Sequence, residues 1–147
     1  MIPYPRLAFA LPLLLLMAVA QAENSTRIPG YTIYHSALTT DMLDPKVAHT
    51  YGIQRSKSKG MLNVSVIRDV PGTTGKPVPA EVHARAVNFR GQTIEIPMRE
   101  IDEQDAIYYI GEFHVHNQEH LNFTIEVRPE GSQRTHKILM KQQFFVD

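Results

Sequence analysis

The chain is predicted to fold as an all-β protein, an immunoglobulin-like antiparallel β-sandwich of about seven strands with one short helix near the N-terminus. Three observations carry that prediction. From Met61 onward, short runs alternate apolar and polar residues with a period of two, as strands with one buried face do. Turns rich in proline and glycine separate these runs at hairpin spacing. Only one stretch, Asp44 to Gly52, carries both a helix start and a helix stop. A barrel of similar strand count would satisfy the same pattern.

Residues 1–22 are set apart from that domain. Arg6 precedes an apolar run from Leu7 to Ala20, and Ala20-Gln21-Ala22 puts small residues where a signal peptidase reads them. The run is shorter than the roughly 20 residues a membrane-spanning helix needs. Residues 1–22 are therefore expected to be a secretory signal peptide cleaved after Ala22, with 23–147 forming a single β-sandwich domain. No second apolar run of membrane length follows, so no membrane insertion is expected once the signal is removed.

Taken in order, the first strand is Gly30 to Thr39, with Tyr31, Ile33 and His35 alternating against Thr32, Tyr34 and Ser36. Asp44 reads as a helix N-cap, Pro45 as the first helical residue and Gly52 as the stop. Val47, Ala48 and Tyr51 share one face of a helix too short to persist without docking on a sheet. Leu62, Val64 and Val66 form the buried face of the next strand, and the stretch 69–77 reads as a long exposed loop. A strand from Ala80 to Phe89 turns at Arg90-Gly91-Gln92 into an alternating run ending near Met98, whose Pro97 marks an edge strand or a bulge. The acidic residues Asp102, Glu103 and Asp105 are read as a loop. Ile107 to Val115 and Leu121 to Arg128 then read as the paired strands of a hairpin, and His136 to Val146 as the last strand.

Composition excludes several functions. There is no cysteine, so the core alone must hold an exported domain together, and neither a thiol nucleophile nor a lipoprotein anchor is available. Arg6 leaves with the signal, so fourteen basic residues face fifteen acidic ones, which argues against nucleic acid as a partner. The basic run Arg55 to Lys59 reads as a solvated loop before a strand. No serine-hydrolase elbow, phosphate-binding glycine loop or zinc-protease helix occurs. The acidic cluster at Glu100, Asp102, Glu103 and Asp105 lacks calcium-loop spacing. The chain is accordingly read as no enzyme.

One constellation is chemically specific. If Val115 sits opposite Leu121 and Phe113 opposite Phe123, the apolar faces of the hairpin coincide, and His116 pairs with His120 around Asn117-Gln118-Glu119. His114, two residues from His116, then joins them on the polar face. Three imidazoles at cross-strand distance suit zinc, copper or nickel, with Glu112 or Asn122 as an outer partner. The same residues also read as solvated surface histidines, or as a pH-sensitive patch. No other cofactor is expected. His35, His49, His83 and His136 show no ligand spacing and are read as structural. The triplets at Asn24, Asn63 and Asn122 match the glycosylation pattern by chance.

With these motifs in view, the chain resembles a family of small exported proteins of Gammaproteobacteria known as domain of unknown function 4426. The resemblance rests on Val47-Ala48, Tyr51-Gly52-Ile53, Arg55-Ser56, Gly60-Met61-Leu62-Asn63-Val64-Ser65-Val66, Gly75-Lys76-Pro77-Val78 and the Tyr108 to His114 strand. It implies a periplasmic location and brings no activity to any residue. The expected function is thus a soluble periplasmic binding or accessory module for another envelope protein. The alternative is a zinc- or copper-binding protein using His114, His116 and His120, and a small hydrolase or isomerase is a third reading.

Overall fold

The computed structural model describes residues 24–146; the signal-peptide assignment, residues 1–22, lies outside them. Strands β1 (Asn24–Ile28) and β2 (Tyr31–Thr39) are followed by a 3-10 turn (Thr40–Met42) and helix α1 (Pro45–Thr50). Then come β3 (Lys59–Arg68), β4 (Lys76–Pro77), β5 (Ala80–Val87), β6 (Thr93–Ile96), β7 (Arg99–Glu103), β8 (Ala106–His114), β9 (His120–Pro129) and β10 (His136–Gln143). They form two antiparallel sheets. One runs β1-β2-β3-β8-β7 with β4 also pairing β3, and the other runs β10-β9-β5-β6. The fold is a β-sandwich with one short helix near the N-terminus, as the alternating pattern predicted. No helix among the described residues is long and apolar enough to cross a membrane.

The inner faces are the alternating apolar sets. Ile33 and Ala37 of β2, Leu62, Val64 and Val66 of β3, and Tyr109 and Phe113 of β8 face Ala84 and Ala86 of β5 and Leu121, Phe123, Ile125 and Val127 of β9. Burying each large apolar side chain contributes about 1.5–3 kcal/mol. Near one end, Phe113, Phe123 and Phe144 pack edge-to-face, with the Phe113 and Phe123 ring centroids 5.3 Å apart. Gly60 lies beneath the Phe113 ring, where a Cβ would come within 2.3 Å of ring carbon Cε2. Across the sandwich, the Tyr109 hydroxyl accepts from the Ala80 amide at 2.8 Å and donates to Glu100 Oε1 at 2.9 Å. Burial pushes that phenol up to about 12, with the Glu100 carboxylate acting in the same direction.

Helix α1 forms where its caps predict. The Asp44 carboxylate accepts from the Lys46 amide at 2.8 Å, Pro45 occupies the first turn, and Gly52 takes φ +66° just past the end. Ala48 of the helix, with Ile53, Met61 and Ile110, builds a second, smaller apolar cluster on the outer face of the six-stranded sheet.

Four expectations need correction. Among the described residues there are ten strands, not seven, because β1, β4 and β7 were read as non-strand. Asn24–Ile28 and Arg99–Glu103 are exposed edge strands, and an edge needs little of the apolar alternation that reveals a central strand. The acidic residues Asp102 and Glu103 therefore lie on β7, leaving only Gln104 and Asp105 to turn. The loop 69–77 is shorter than expected, since Lys76–Pro77 pairs with the end of β3. Lastly, β8 and β9 do not pair: β8 pairs with β3 and β7, while β9 pairs with β5 and β10.

The chain crosses between the sheets three times, at 78–79, at 97–98 and at 115–119. Pro97, read as an edge or bulge signal, sits in the second crossing and ends the edge strand β6. Glu119 holds the third: its buried carboxylate accepts from the His116 amide at 2.8 Å, and its carbonyl accepts from the Phe144 amide at 2.9 Å.

Candidate functional site: an apolar groove on the outer sheet face

Both faces of the six-stranded sheet carry apolar residues near its middle. On the outer face, register places Leu38 of β2 beside Met61 of β3, Ser36 beside Asn63, Asn63 beside Ile110 of β8, and Tyr108 beside Ile101 of β7. Helix α1 and its flanks cover only part of this surface, bringing Leu43, Val47, Tyr51 and Ile53 to its rim. The space between helix and sheet is a groove of about 350 Å³. That volume lies at the lower end of the roughly 300–1,000 Å³ typical of ligand sites.

Its polar groups are few. Asn63 is one of them, and its Oδ1 is buried with no hydrogen-bond partner among the described residues. Glu103 lies at the β7 rim, and Ser36 and the two tyrosines complete the polar lining. A buried carbonyl oxygen without a donor costs about 1–3 kcal/mol. The apolar lining with Glu103 at its rim therefore suits an apolar group beside a positive charge. A smaller depression of about 220 Å³, lined by Tyr34, His35, Ser36, Asn63, Ser65 and Tyr108, continues the groove along the same face.

The three predicted metal ligands are placed differently from the hairpin reading. His114 ends β8 opposite Lys59 of β3, whereas His120 begins β9 opposite Gln143 of β10. His116 lies in the crossing between them, its Nδ1 3.0 Å from Glu119 Oε2. The cross-strand pairing of His116 with His120 does not form, because the strands that would carry it belong to opposite sheets. Among the described residues no three His, Cys, Asp or Glu side chains are grouped to hold a metal ion. Glu112, expected as an outer partner, instead faces Lys59, with Oε1 to Nζ at 3.9 Å. Asn122 pairs with Lys141 of β10 on one side and Val87 of β5 on the other.

A different histidine is chemically engaged. His35, read as structural, points into the sandwich. Its Nδ1 lies 3.4 Å from Met140 Sδ and its Nε2 lies 3.0 Å from Thr26 Oγ1. Burial lowers its pKa below the usual histidine range.

The model of the DUF4426 family, a domain of unknown function, matches residues 25–147. The chain belongs to the DUF4426 family. A crystal structure of a family member from Pseudomonas aeruginosa PAO1 is 30% identical, with 85% of this chain and 96% of that one covered and a TM-score of 0.73. FetP of uropathogenic Escherichia coli strain F11, expressed in the periplasm for its crystal structure, is 13% identical over 84% of this chain and 94% of that one, with a TM-score of 0.59. A copper-bound variant of the same FetP gives the same identity and TM-score. At that identity the likeness to FetP shows the shared sandwich fold. No curated protein sequence matches the chain.

Sequence reasoning missed the groove, although signals for it were present. Neighbouring apolar pairs within strands, Ala37-Leu38, Met61-Leu62 and Tyr109-Ile110, break the period of two and mark a sheet buried on both faces. His35 gave no such signal, since its partner Met140 lies on a strand of the other sheet.

Proposed function

We propose that this DUF4426 protein is an exported, non-catalytic binding module that seats an apolar segment of another envelope protein in the groove beneath α1. The observation that carries this reading is the concave apolar surface between α1 and the sheet, lined by Leu38, Met61, Ile101 and Ile110. The groove is lined chiefly by Leu38, Leu43, Val47, Ile53, Met61, Ile101 and Ile110, a surface suited to holding an apolar segment. Glu103 at the rim favours a segment in which apolar side chains sit beside a lysine or arginine. The signal-peptide pattern of residues 1–22 supports a periplasmic location.

The test is a photo-crosslinking residue placed at Val47, on the groove rim, and separately at Leu139, exposed on the opposite sheet. A discrete adduct with one envelope protein from position 47 alone, lost when Leu38→Asp is added, is the expected result. Equal adducts from both positions, or none from position 47, would overturn the reading.

A second reading, metal handling, is favoured by one contact, His35 Nδ1 against Met140 Sδ. The copper held by the FetP variant, on the same sandwich fold, gives it further support.

A further inference from the structure

The smaller depression on the outer sheet face differs in chemistry from the groove it adjoins. Tyr34, Ser36, Asn63, Ser65 and Tyr108 line it, together with His35, whose imidazole is engaged with Met140 and Thr26. None of these residues is an Asp, Glu, Lys or Arg. The lining is hydroxyls, one amide and two phenol rings.

Register sets the layout. Ser36 of β2 pairs with Asn63 of β3, and Tyr34 pairs with Ser65, so these four share one face. Tyr108 of β8 lies one residue on from the Val64–Tyr109 pair, on the face of Ile110, which pairs with Asn63. Tyr34 and Tyr108 thus stand on strands separated by β3, and two strand spacings put their backbones about 10 Å apart. Two van der Waals contacts of about 3.5–4.0 Å fit within that interval, which leaves room for one six-membered ring between the phenols.

A pyranose meets these demands. Its faces carry C–H bonds, which are attracted to the negative face of an aromatic ring, and its rim carries hydroxyls. Ser36, Ser65 and both tyrosines supply hydroxyls that donate and accept. Without a lysine or arginine in the lining, an acidic sugar finds no counter-charge there. Asn63 Oδ1 is buried, so Nδ2 is the polar atom left to the open side, and Ile110 lies beside it at the margin of the groove. A carbonyl followed by a small apolar group fits that pair of neighbours.

We propose that the depression binds a neutral acetamido sugar. The ring lies between Tyr34 and Tyr108, and the acetamido carbonyl accepts from Asn63 with its methyl against Ile110. This site adjoins the groove of the binding-module reading and stands independently of what fills it.

The experiment titrates tri-N-acetylchitotriose and, separately, cellotriose into the exported protein and follows its backbone amide resonances. The two sugars share their linkage and ring shape and differ in the acetamido group. The expected result is a saturable shift at Ser36, Asn63 and Ser65 with chitotriose and a several-fold weaker response to cellotriose. Tyr34 is 37% exposed, so Tyr34→Ala should keep the melting temperature near wild type. It should weaken chitotriose about 2–10-fold through the lost ring face, whereas Tyr34→Phe should retain most of the affinity. No shift at these amides with chitotriose would overturn the proposal. Equal affinity for the two sugars would overturn the acetamido assignment, and undiminished binding by Tyr34→Ala would place the sugar elsewhere. Soluble peptidoglycan fragments and acetamido-bearing O-chain oligosaccharides are then set against bound chitotriose. Competition by one of them identifies the source, and competition by neither would overturn a role in recognising envelope glycans.

Discussion

Phe113 and Phe123 meet edge-to-face, 5.3 Å between centroids at 66°, across the sandwich rather than along a strand ladder. Each ring fills space that the opposite sheet cannot otherwise reach, and Phe144 completes the cluster from beyond β10. Truncation of Phe123 to alanine should therefore cost about 3–5 kcal/mol, read as a lower midpoint in urea denaturation. A double-mutant cycle with Phe113→Leu should show coupling, since the two rings share one cavity. Additive losses would mean that the rings pack independently.

That contact also explains the misplaced histidines. The expectation that Phe113 lies opposite Phe123 is correct as a contact and incorrect as a register. Alternation reports which side chains enter the core; it does not report whether two apolar faces coincide by lying in one sheet or by facing each other from two. The short separation of β8 and β9 favours the hairpin reading, and the β3–β8 and β5–β9 ladders, paired over long sequence separations, override it. The sandwich class, the capped helix and the central strands were legible because caps and periodicity are local. The charged strand β7 was not, because an edge needs little apolar alternation, and the His35–Met140 contact was not, because its partners lie far apart in sequence.

The Tyr109 hydroxyl ties β8 to the start of β5. Tyr109→Phe should cost about 1–3 kcal/mol, since the Ala80 amide and the Glu100 carboxylate both lose their partner. The phenol also sets an alkaline limit. Its folded pKa of about 12 exceeds the unfolded value of 10.0, so the unfolded chain releases its proton first. Stability should fall as pH rises from 10 toward 12, and Tyr109→Phe should flatten that part of a denaturation-versus-pH curve. An unchanged slope in the variant would assign the alkaline loss to other groups.

His35 works in the opposite direction. Its pKa is lowered by burial, so the unfolded chain takes up a proton that the folded chain resists. The stability tied to its neutral form is present above the usual histidine value of 6.5 and is lost as pH falls through the lower folded value. Chemical denaturation between pH 7.5 and 5 should show that decline, and His35→Gln should reduce its slope. A wild-type curve flat across this interval would contradict the assignment.

Gly111 has no room for a side chain. A Cβ there would lie 2.5 Å from Ile96 Cγ2 and 2.8 Å from the Pro97 carbonyl oxygen. Gly111→Ala should destabilise by about 1–3 kcal/mol through overpacking against the second sheet crossing. Thermal melting checks this, and a melting temperature at or above wild type would show that the 97–98 link yields.

The three crossings between sheets have a kinetic meaning. Two of them, 78–79 and 97–98, are only two residues long, so neither sheet can be completed while the other is absent. The central ladders pair Lys59 with His114 and Ala80 with Pro129, contacts far apart along the chain. Loop closure must precede the gain from such pairings, which slows folding relative to a fold of local contacts. The β2–β3 pair must wait for β8, and β5 must wait for β9. Assembly is therefore a late and collective event, and during that wait the apolar inner faces of both sheets stay uncovered.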